Sequence, residues 1–262
     1  MTFKDWFFGT NPEYQVPCDG RWGLLHICVL VFSIIAIVAL ALIFRSKNKK
    51  AKEIVIFVLA MIILFLEITR RVKNLILHGF GDVDQLLYIL LPRPWCAISC
   101  WMIISSVFVK KKFFYNITSI TSLLCAVIFF AYPGAGFNDV YILFENVYSI
   151  STHALLLITS ITMITLKAVD FKYVREKESM IYEMITLAGI FAYAFLEIYV
   201  LKVESDPLYF MPDNDVMEIL GVSHPIYIII YILFLGLWVN SFYLIPYIIR
   251  KCGSKKHESR NV

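Results

Sequence analysis

A cysteine that directly follows two closely spaced prolines has the clearest chemical potential in this sequence. Pro92 and Pro94 interrupt an apolar stretch, and Cys96 comes two residues later. Two prolines at this spacing break a helix, because proline lacks a backbone N–H and restricts the residue before it. Proline is favoured at the first position of a helix, so the sequence predicts Cys96 in the first turn of a new one. Free N–H groups and the helix dipole there favour a thiolate. Cys96 is therefore a candidate nucleophile, and inert packing is the alternative.

Five of the other ionisable residues inside apolar stretches, where charge is costly, are candidates for the same site as Cys96. They are His26, Glu67, Arg70, His153 and Glu197. A charged side chain at the centre of a bilayer costs about 2.5–3.5 kcal/mol, so those that occur usually face a cavity or a partner. The sequence predicts that these residues converge with the cysteine in one polar cavity.

Each of these residues also has a purely structural interpretation. Glu67 is three residues from Arg70 and four from Arg71, so it can form an ion pair along one helix face. Arg71 can instead extend to the lipid headgroups. Glu197 is either protonated in the bundle core or paired with Arg70 or Arg71 across helices. His26 on its own is typical of the membrane interface.

Seven apolar stretches must position these side chains. A transmembrane helix needs about 20 apolar residues, and every backbone polar group within lipid must be paired inside its own segment. The chain is 60% hydrophobic and 17% charged. We therefore predict an all-α polytopic membrane protein with one seven-helix domain over residues 1–262. The predicted spans are 24–44, 54–77, 86–109, 113–132, 147–168, 181–201 and 225–246.

The basic residues predict the orientation of these spans. Of the 24 lysines and arginines, 17 lie in the first, third and fifth loops and after the last span. By the positive-inside rule the N-terminus is outside and the C-terminus is cytoplasmic. The first apolar stretch is too long for the apolar region of a signal peptide and is kept as a span. We expect a multi-pass protein of the plasma membrane whose polar candidates lie in the outer half.

Other classes of site have little support in the sequence. The six cysteines and five histidines show no CxxC or HExxH spacing, so we predict no disulfide framework, metal or cofactor. The Ser/Thr-rich run at 118–122 is typical of helix packing in membranes. Membrane lipids are the expected partners and nucleic acid is not, and no pattern indicates an oligomeric state.

Several short motifs give the chain a resemblance to a known family. They are His26, the segment Glu67 to Arg71, Leu91-Pro92 followed by Cys96, Ser151-Thr152-His153, the segment Leu208 to Pro212, and Pro225-Ile226-Tyr227. With these the chain resembles the YwaF-type family of bacterial integral membrane proteins. The pattern of that family before the cysteine, Leu-Pro-Leu-His-Leu-Cys, has a histidine where this chain has Pro94, so any role of that histidine is absent here.

The resemblance implies a chemistry for the cavity. The family is similar, more remotely, to the animal cysteine acyltransferase that remodels ether phospholipids and to the androgen-induced hydrolases of hydroxy-fatty-acid esters. These enzymes pair an intramembrane nucleophile with a histidine on a later helix. The corresponding pair here is Cys96 and His153, which would act on an acyl lipid. The resemblance further implies that Glu67 or Glu197 orients the imidazole of His153. Arg70 would lie near the oxyanion that forms when the acyl carbonyl is attacked.

A transporter or small-ligand binding protein is the competing class. A helix broken at membrane depth and intramembrane carboxylates also suit the binding of a substrate or a proton. The inner halves of the spans have few polar residues, which disfavours a path to the cytoplasm. A retinal protein is disfavoured because residues 225–246 contain no lysine for a Schiff base.

Overall fold

The computed structural model is helical along nearly all of its described length. It describes residues 3–9, 16–17, 19–78, 83–93, 95–132, 136–137, 141–169, 171, 177–200, 211–212 and 215–258. The chain divides into two compact units, residues 1–169 and 170–262. The single domain over residues 1–262 stays a prediction.

Ten α-helices and one pair of two-residue strands make up the described part of the chain. The first unit contains α1 (Phe3–Phe8), β1 (Val16–Pro17), α2 (Leu24–Phe44), α3 (Lys49–His78), α4 (Val83–Leu90), α5 (Trp95–Val109), α6 (Lys112–Ala131), β2 (Tyr141–Ile142) and α7 (Phe144–Thr165). The second unit contains α8 (Lys177–Phe195), a π-helical turn (Leu196–Val200), α9 (Asp215–Leu220) and α10 (His224–Glu258).

Helices occupy the positions of all seven predicted spans, and within the described residues four helices are long and apolar enough to cross a membrane. These four are α2, α6, α7 and the part of α10 from His224 to Ile245. α5 is a shorter apolar helix, as is the part of α8 from Met184 to Phe195. The protein is therefore a membrane protein with several apolar helices, and the count of seven spans stays a prediction.

The break predicted at the two prolines is present. α4 ends at Leu90, residues 91–93 are not helical, and α5 begins at Trp95. Pro94 itself lies outside the described residues. The third predicted span, 86–109, therefore consists of the end of one short helix and the whole of a second, because Pro92 and Pro94 interrupt the backbone hydrogen bonding between them.

Local side chains and turns set several other helix boundaries. The Asn48 side chain accepts a hydrogen bond from the Ala51 N–H at 2.9 Å, which caps the start of α3. The Asn146 side chain accepts one from the Leu143 N–H at 2.8 Å at the start of α7. Lys110, with φ of 51°, adopts the left-handed conformation that ends α5 and starts the turn into α6.

α7 is the central helix of the first unit, in contact with α2, α3, α5 and α6. α6 packs against both α5 and α7 through small polar side chains, which agrees with the packing role predicted for residues 118–122. Ser99 on α5 meets Cys125 on α6 at 3.3 Å between Oγ and Sγ. The packing of α3 and α5 on α7 is what builds the candidate site.

The N-terminal segment lies against the start of α7. The rings of Trp6 and Phe7 on α1 contact the ring of Phe144, with centroids 5.8 and 4.6 Å away. β1 pairs antiparallel with β2, with Val16 opposite Ile142. Residues far apart in sequence therefore meet at the end of α7 where the polar side chains lie.

Candidate functional site

Glu67 is the centre of a buried polar cluster. Its side chain is fully buried on α3. One carboxylate oxygen accepts a hydrogen bond from the Tyr148 hydroxyl on α7, and the other forms an ion pair with Arg71 one turn along α3. Of the two intrahelical pairs that the sequence allowed, the structure forms the one with Arg71.

Arg71 also connects α3 to the broken segment. Its Nε donates to the Leu90 carbonyl at 3.4 Å, and its guanidinium lies 5.2 Å from the centroid of the Trp101 ring on α5. Its side chain is largely buried, so extension to the headgroups does not describe its position. A buried ion pair of this kind is strongly destabilised when one partner is removed, because the other charge remains in a low dielectric.

A second ion network lies one turn further along α3. Glu145, at the start of α7, accepts hydrogen bonds from Arg70 Nε at 3.1 Å and from Lys73 Nζ at 2.8 Å, one on each oxygen. The Arg70 guanidinium lies 4.9 Å from the centroid of the Tyr148 ring, and Lys73 Nζ lies 5.3 Å from that of Phe144. Arg70 therefore belongs to the cluster around Glu67 through Tyr148, and its carboxylate partner is Glu145.

Cys96 lies beside this cluster, in the first turn of α5. Its thiol is within electrostatic range of Glu67 and Arg70, and of Cys125 on α6. The backbone N–H groups of this first turn have no acceptor within the helix. The structure thus brings three of the six predicted site residues together, namely Glu67, Arg70 and Cys96.

Cys100, one turn further along α5, is also part of the cluster. Its thiol lies next to the Glu67 carboxylate and within electrostatic range of Tyr148. Cys100 is therefore unsuitable as an inert control for Cys96. Cys28, an exposed free cysteine on α2, serves better as the control.

His153 lies in an aromatic environment on α7. Its ring stacks on that of Phe129 from α6, with centroids 3.8 Å apart, and its Nδ1 is 2.7 Å from the Ser149 carbonyl. Because a carbonyl only accepts, Nδ1 carries the proton, and Nε2 keeps the lone pair of the neutral ring. Among the described residues, His153 makes no hydrogen bond or ring contact with Cys96, Glu67 or Arg70, so the orienting group in this structure is the Ser149 carbonyl.

His26 lies in the same aromatic environment. Its ring is fully buried between Trp22 and Phe137, at 4.7 Å from both centroids, and parallel to Phe130 at 5.9 Å. Phe129 contacts both Phe130 and Phe137, so one group of phenylalanines joins the surroundings of His26 to His153. The histidines form an aromatic cluster, and Glu67 with its partners forms an ionic one.

Glu197 lies in the π-helical turn of the second unit, and its side chain is outside the described residues. Its predicted place in the cavity stays a prediction. Among the described residues, no group of three or more histidine, cysteine, aspartate or glutamate side chains could hold a metal ion.

Sequence reasoning missed Tyr148, Glu145 and Lys73. Each was visible as a polar residue near the end of a predicted span, but none has a distinctive spacing to a reactive residue. Tyr148 is 81 residues from Glu67, and Glu145 is 75 residues from Arg70. Only the antiparallel packing of α3 against α7 brings the two members of each pair side by side.

The comparisons with known proteins identify a family. The model of the TMEM164 family matches residues 21–243, which covers every candidate site residue. The chain belongs to the TMEM164 family. No curated protein and no solved structure matches it. Membership supports a membrane protein with several apolar helices that contacts membrane lipids, whereas the closer resemblance to YwaF-type proteins stays a prediction.

Proposed function

We propose that this TMEM164 family protein is a membrane-embedded enzyme that transfers or hydrolyses the acyl group of a lipid. Cys96 is the nucleophile and His153 is the base. The position of Cys96 carries the proposal. Cys96 lies in the first turn of α5, where backbone N–H groups have no acceptor within the helix, and its thiol is within electrostatic range of Arg70 as well as of the Glu67 carboxylate. Such N–H groups and a guanidinium can stabilise the oxyanion that forms when the sulfur attacks an ester.

The hydrogen bond at His153 supports its role as the base. Donation from Nδ1 to the Ser149 carbonyl leaves the Nε2 lone pair available to take a proton from a thiol. Proton transfer needs Nε2 at about 3 Å from the sulfur, or one water between them. Catalytic contacts are often long without substrate, so the proposal includes closure of this gap when the lipid binds.

The reaction then has two balanced steps. Cys96 gives its proton to His153, and the thiolate attacks the acyl carbonyl carbon and forms a C–S bond. The ester C–O bond breaks, and the departing alcohol takes the proton from the imidazolium. A hydroxyl group of a second lipid, or water, next loses its proton to His153 and attacks the thioester carbon. The C–S bond breaks, and the thiolate regains the proton.

The proposal includes seven membrane crossings in the plasma membrane, with the N-terminus outside. Helices at all seven predicted positions and the distribution of basic residues support it. Exposed apolar side chains are numerous on α2 and α3 of the first unit and on α10 of the second, which lets lipid contact each of these helices.

The experiment compares Cys96→Ala, His153→Ala and the double variant in turnover of a fluorescent acyl phospholipid by purified protein in vesicles. Each single change is expected to lower turnover about 1,000-fold or more, and the double change little further, because residues that act as one unit are not additive. Cys28→Ala is the matched control and is expected to retain full turnover. Unchanged turnover in Cys96→Ala and Cys96→Ser would refute the proposal.

A transporter that binds a proton or a charged ligand at Glu67 is the second candidate. Its support is the full burial of Glu67 between Arg71 and Tyr148, since buried carboxylates in membranes are often transport sites. In the same vesicles, this candidate predicts uptake of a solute that Glu67→Gln abolishes and Cys96→Ala leaves intact. The enzyme proposal predicts turnover that depends on the thiol.

A further inference from the structure

Two cations share one carboxylate where the end of α3 meets the start of α7. Glu145 accepts from Lys73 and Arg70 with separate oxygens, while Arg71 is neutralised by Glu67. We infer that Arg70 and Lys73 form a binding site for a phosphate-type anion, and that Glu145 holds the two cations when the anion is absent. The inference does not depend on the chemistry proposed for Cys96.

The charge of the network indicates an anionic ligand. The five side chains are Arg70, Arg71, Lys73, Glu67 and Glu145, three cations and two carboxylates, so their formal charge is +1. Glu67, Arg71 and Lys73 are buried, so this unbalanced charge among the described residues is costly, and a bound anion would remove the cost. A phosphodiester carries one negative charge and matches it.

The cations are held in place, whereas the carboxylate is accessible. The Lys73 side chain is 7% exposed and lies near the Phe144 ring, and the Arg70 side chain is 28% exposed and lies near the Tyr148 ring. The Glu145 side chain is 42% exposed. Glu145 can therefore rotate away and leave both donors in position for another anion.

The donor geometry suits a phosphate group. A guanidinium and an ammonium that already reach two oxygens of one carboxylate can reach two oxygens of a phosphate in the same way. A lipid headgroup and free phosphate both supply this chemistry. Val72 and Ile76 are exposed apolar residues on the same part of α3, so lipid can lie beside the site.

Glu145→Gln tests the inference, because the change is expected to destabilise the protein without an anion and yet to strengthen the binding of an anion. The full chain is purified in a sugar-headgroup detergent without phosphate, and its thermal unfolding is followed with inorganic phosphate, dihexanoylphosphatidylglycerol or dihexanoylglycerol. Without an anion, Glu145→Gln is expected to lower the Tm, since two cations lose their partner. With an anion, the variant is expected to recover and to bind about tenfold more tightly than the wild type, because the competing carboxylate is gone.

Several comparisons complete the test. Lys49→Gln alters an exposed pair at the other end of α3 and is expected to bind the anion normally. Arg70→Gln with Lys73→Gln is expected to lose binding, and Cys96→Ala to retain it, which separates this site from the proposed catalysis. A response to the phospholipid alone assigns the site to a headgroup, and a response to inorganic phosphate at similar concentration assigns it to free phosphate. The inference is wrong if neither probe stabilises Glu145→Gln, or if dihexanoylglycerol acts equally well.

Discussion

At the scale of single residues, the most informative side chain is Glu67, whose partners come from three helices. Arg71 lies on its own helix, Tyr148 on α7 and Cys100 on α5. A fully buried carboxylate needs all of its hydrogen-bonding capacity filled, because an unpaired buried charge costs several kcal/mol. Glu67 therefore fixes the relative positions of three helices beside Cys96.

This role predicts a graded loss of stability. Arg71→Met leaves a buried carboxylate without its cation and is expected to cost about 3–5 kcal/mol. Tyr148→Phe removes one hydrogen bond to the same carboxylate and is expected to cost about 1–3 kcal/mol. Unfolding of the purified protein in detergent, followed by circular dichroism, measures both.

Lys49→Met is the matched control, because Lys49 forms an exposed pair with Glu53 that contributes roughly 0–1 kcal/mol. Adding Glu67→Leu to Arg71→Met is expected to recover part of the lost stability, since the unpaired charge is removed. Equal stability of Arg71→Met and the wild type would mean that the pair with Arg71 does not stabilise the folded protein.

At the scale of elements, close contact between α5 and α6 decides where Cys96 lies. Ser99 is fully buried against Cys125, and buried serines and threonines line the facing part of α6. Without a hydrophobic effect between helices in lipid, such small side chains give association through close packing. Packing against α6 therefore fixes the position of α5, and the break before Trp95 fixes where this helix begins.

Ser99→Leu is therefore expected to destabilise the protein, because a larger side chain at this contact forces α5 and α6 apart. Overpacking of this kind typically costs about 1–3 kcal/mol. Ser99→Ala is the matched control and is expected to cost about 1 kcal/mol or less, since it removes only a weak hydroxyl–thiol contact. Thermal unfolding compares the two, and a Ser99→Leu protein as stable as Ser99→Ala would show that the contact is loose.

At the scale of the whole molecule, the orientation decides on which side of the membrane the cluster opens. The predicted topology places the loop at 133–146 outside and the loop at 110–112 in the cytoplasm. The start of α7, with Glu145 and Tyr148, then lies near the outer surface.

Labelling in intact cells tests this topology. Asn138→Cys is expected to react with a membrane-impermeant maleimide, and Lys111→Cys is expected to react only after the cells are permeabilised. The wild-type chain, which keeps its native cysteines, supplies the background. Labelling of Lys111→Cys but not Asn138→Cys in intact cells would reverse the orientation and move the cluster to the cytoplasmic side.

The positions of the helices were determined by the sequence itself. The predicted span 24–44 coincides with α2, and the prolines before Cys96 separate α4 from α5. Both results follow from local physics. In lipid each segment must satisfy its own backbone hydrogen bonds, and proline interrupts them wherever it occurs.

The partners of the reactive side chains were decided by the tertiary structure alone. The sequence offered Glu67 both Arg70 and Arg71, and only packing assigned it Arg71 and gave Arg70 to Glu145. It grouped His153 with the carboxylates, whereas the structure stacks the imidazole on Phe129. Contacts between helices depend on how each helix is rotated about its axis and on how far it is shifted along that axis relative to its neighbours. In a bundle with lipid on one side and protein on the other, apolar residues suit both surroundings, so the local sequence does not specify that rotation.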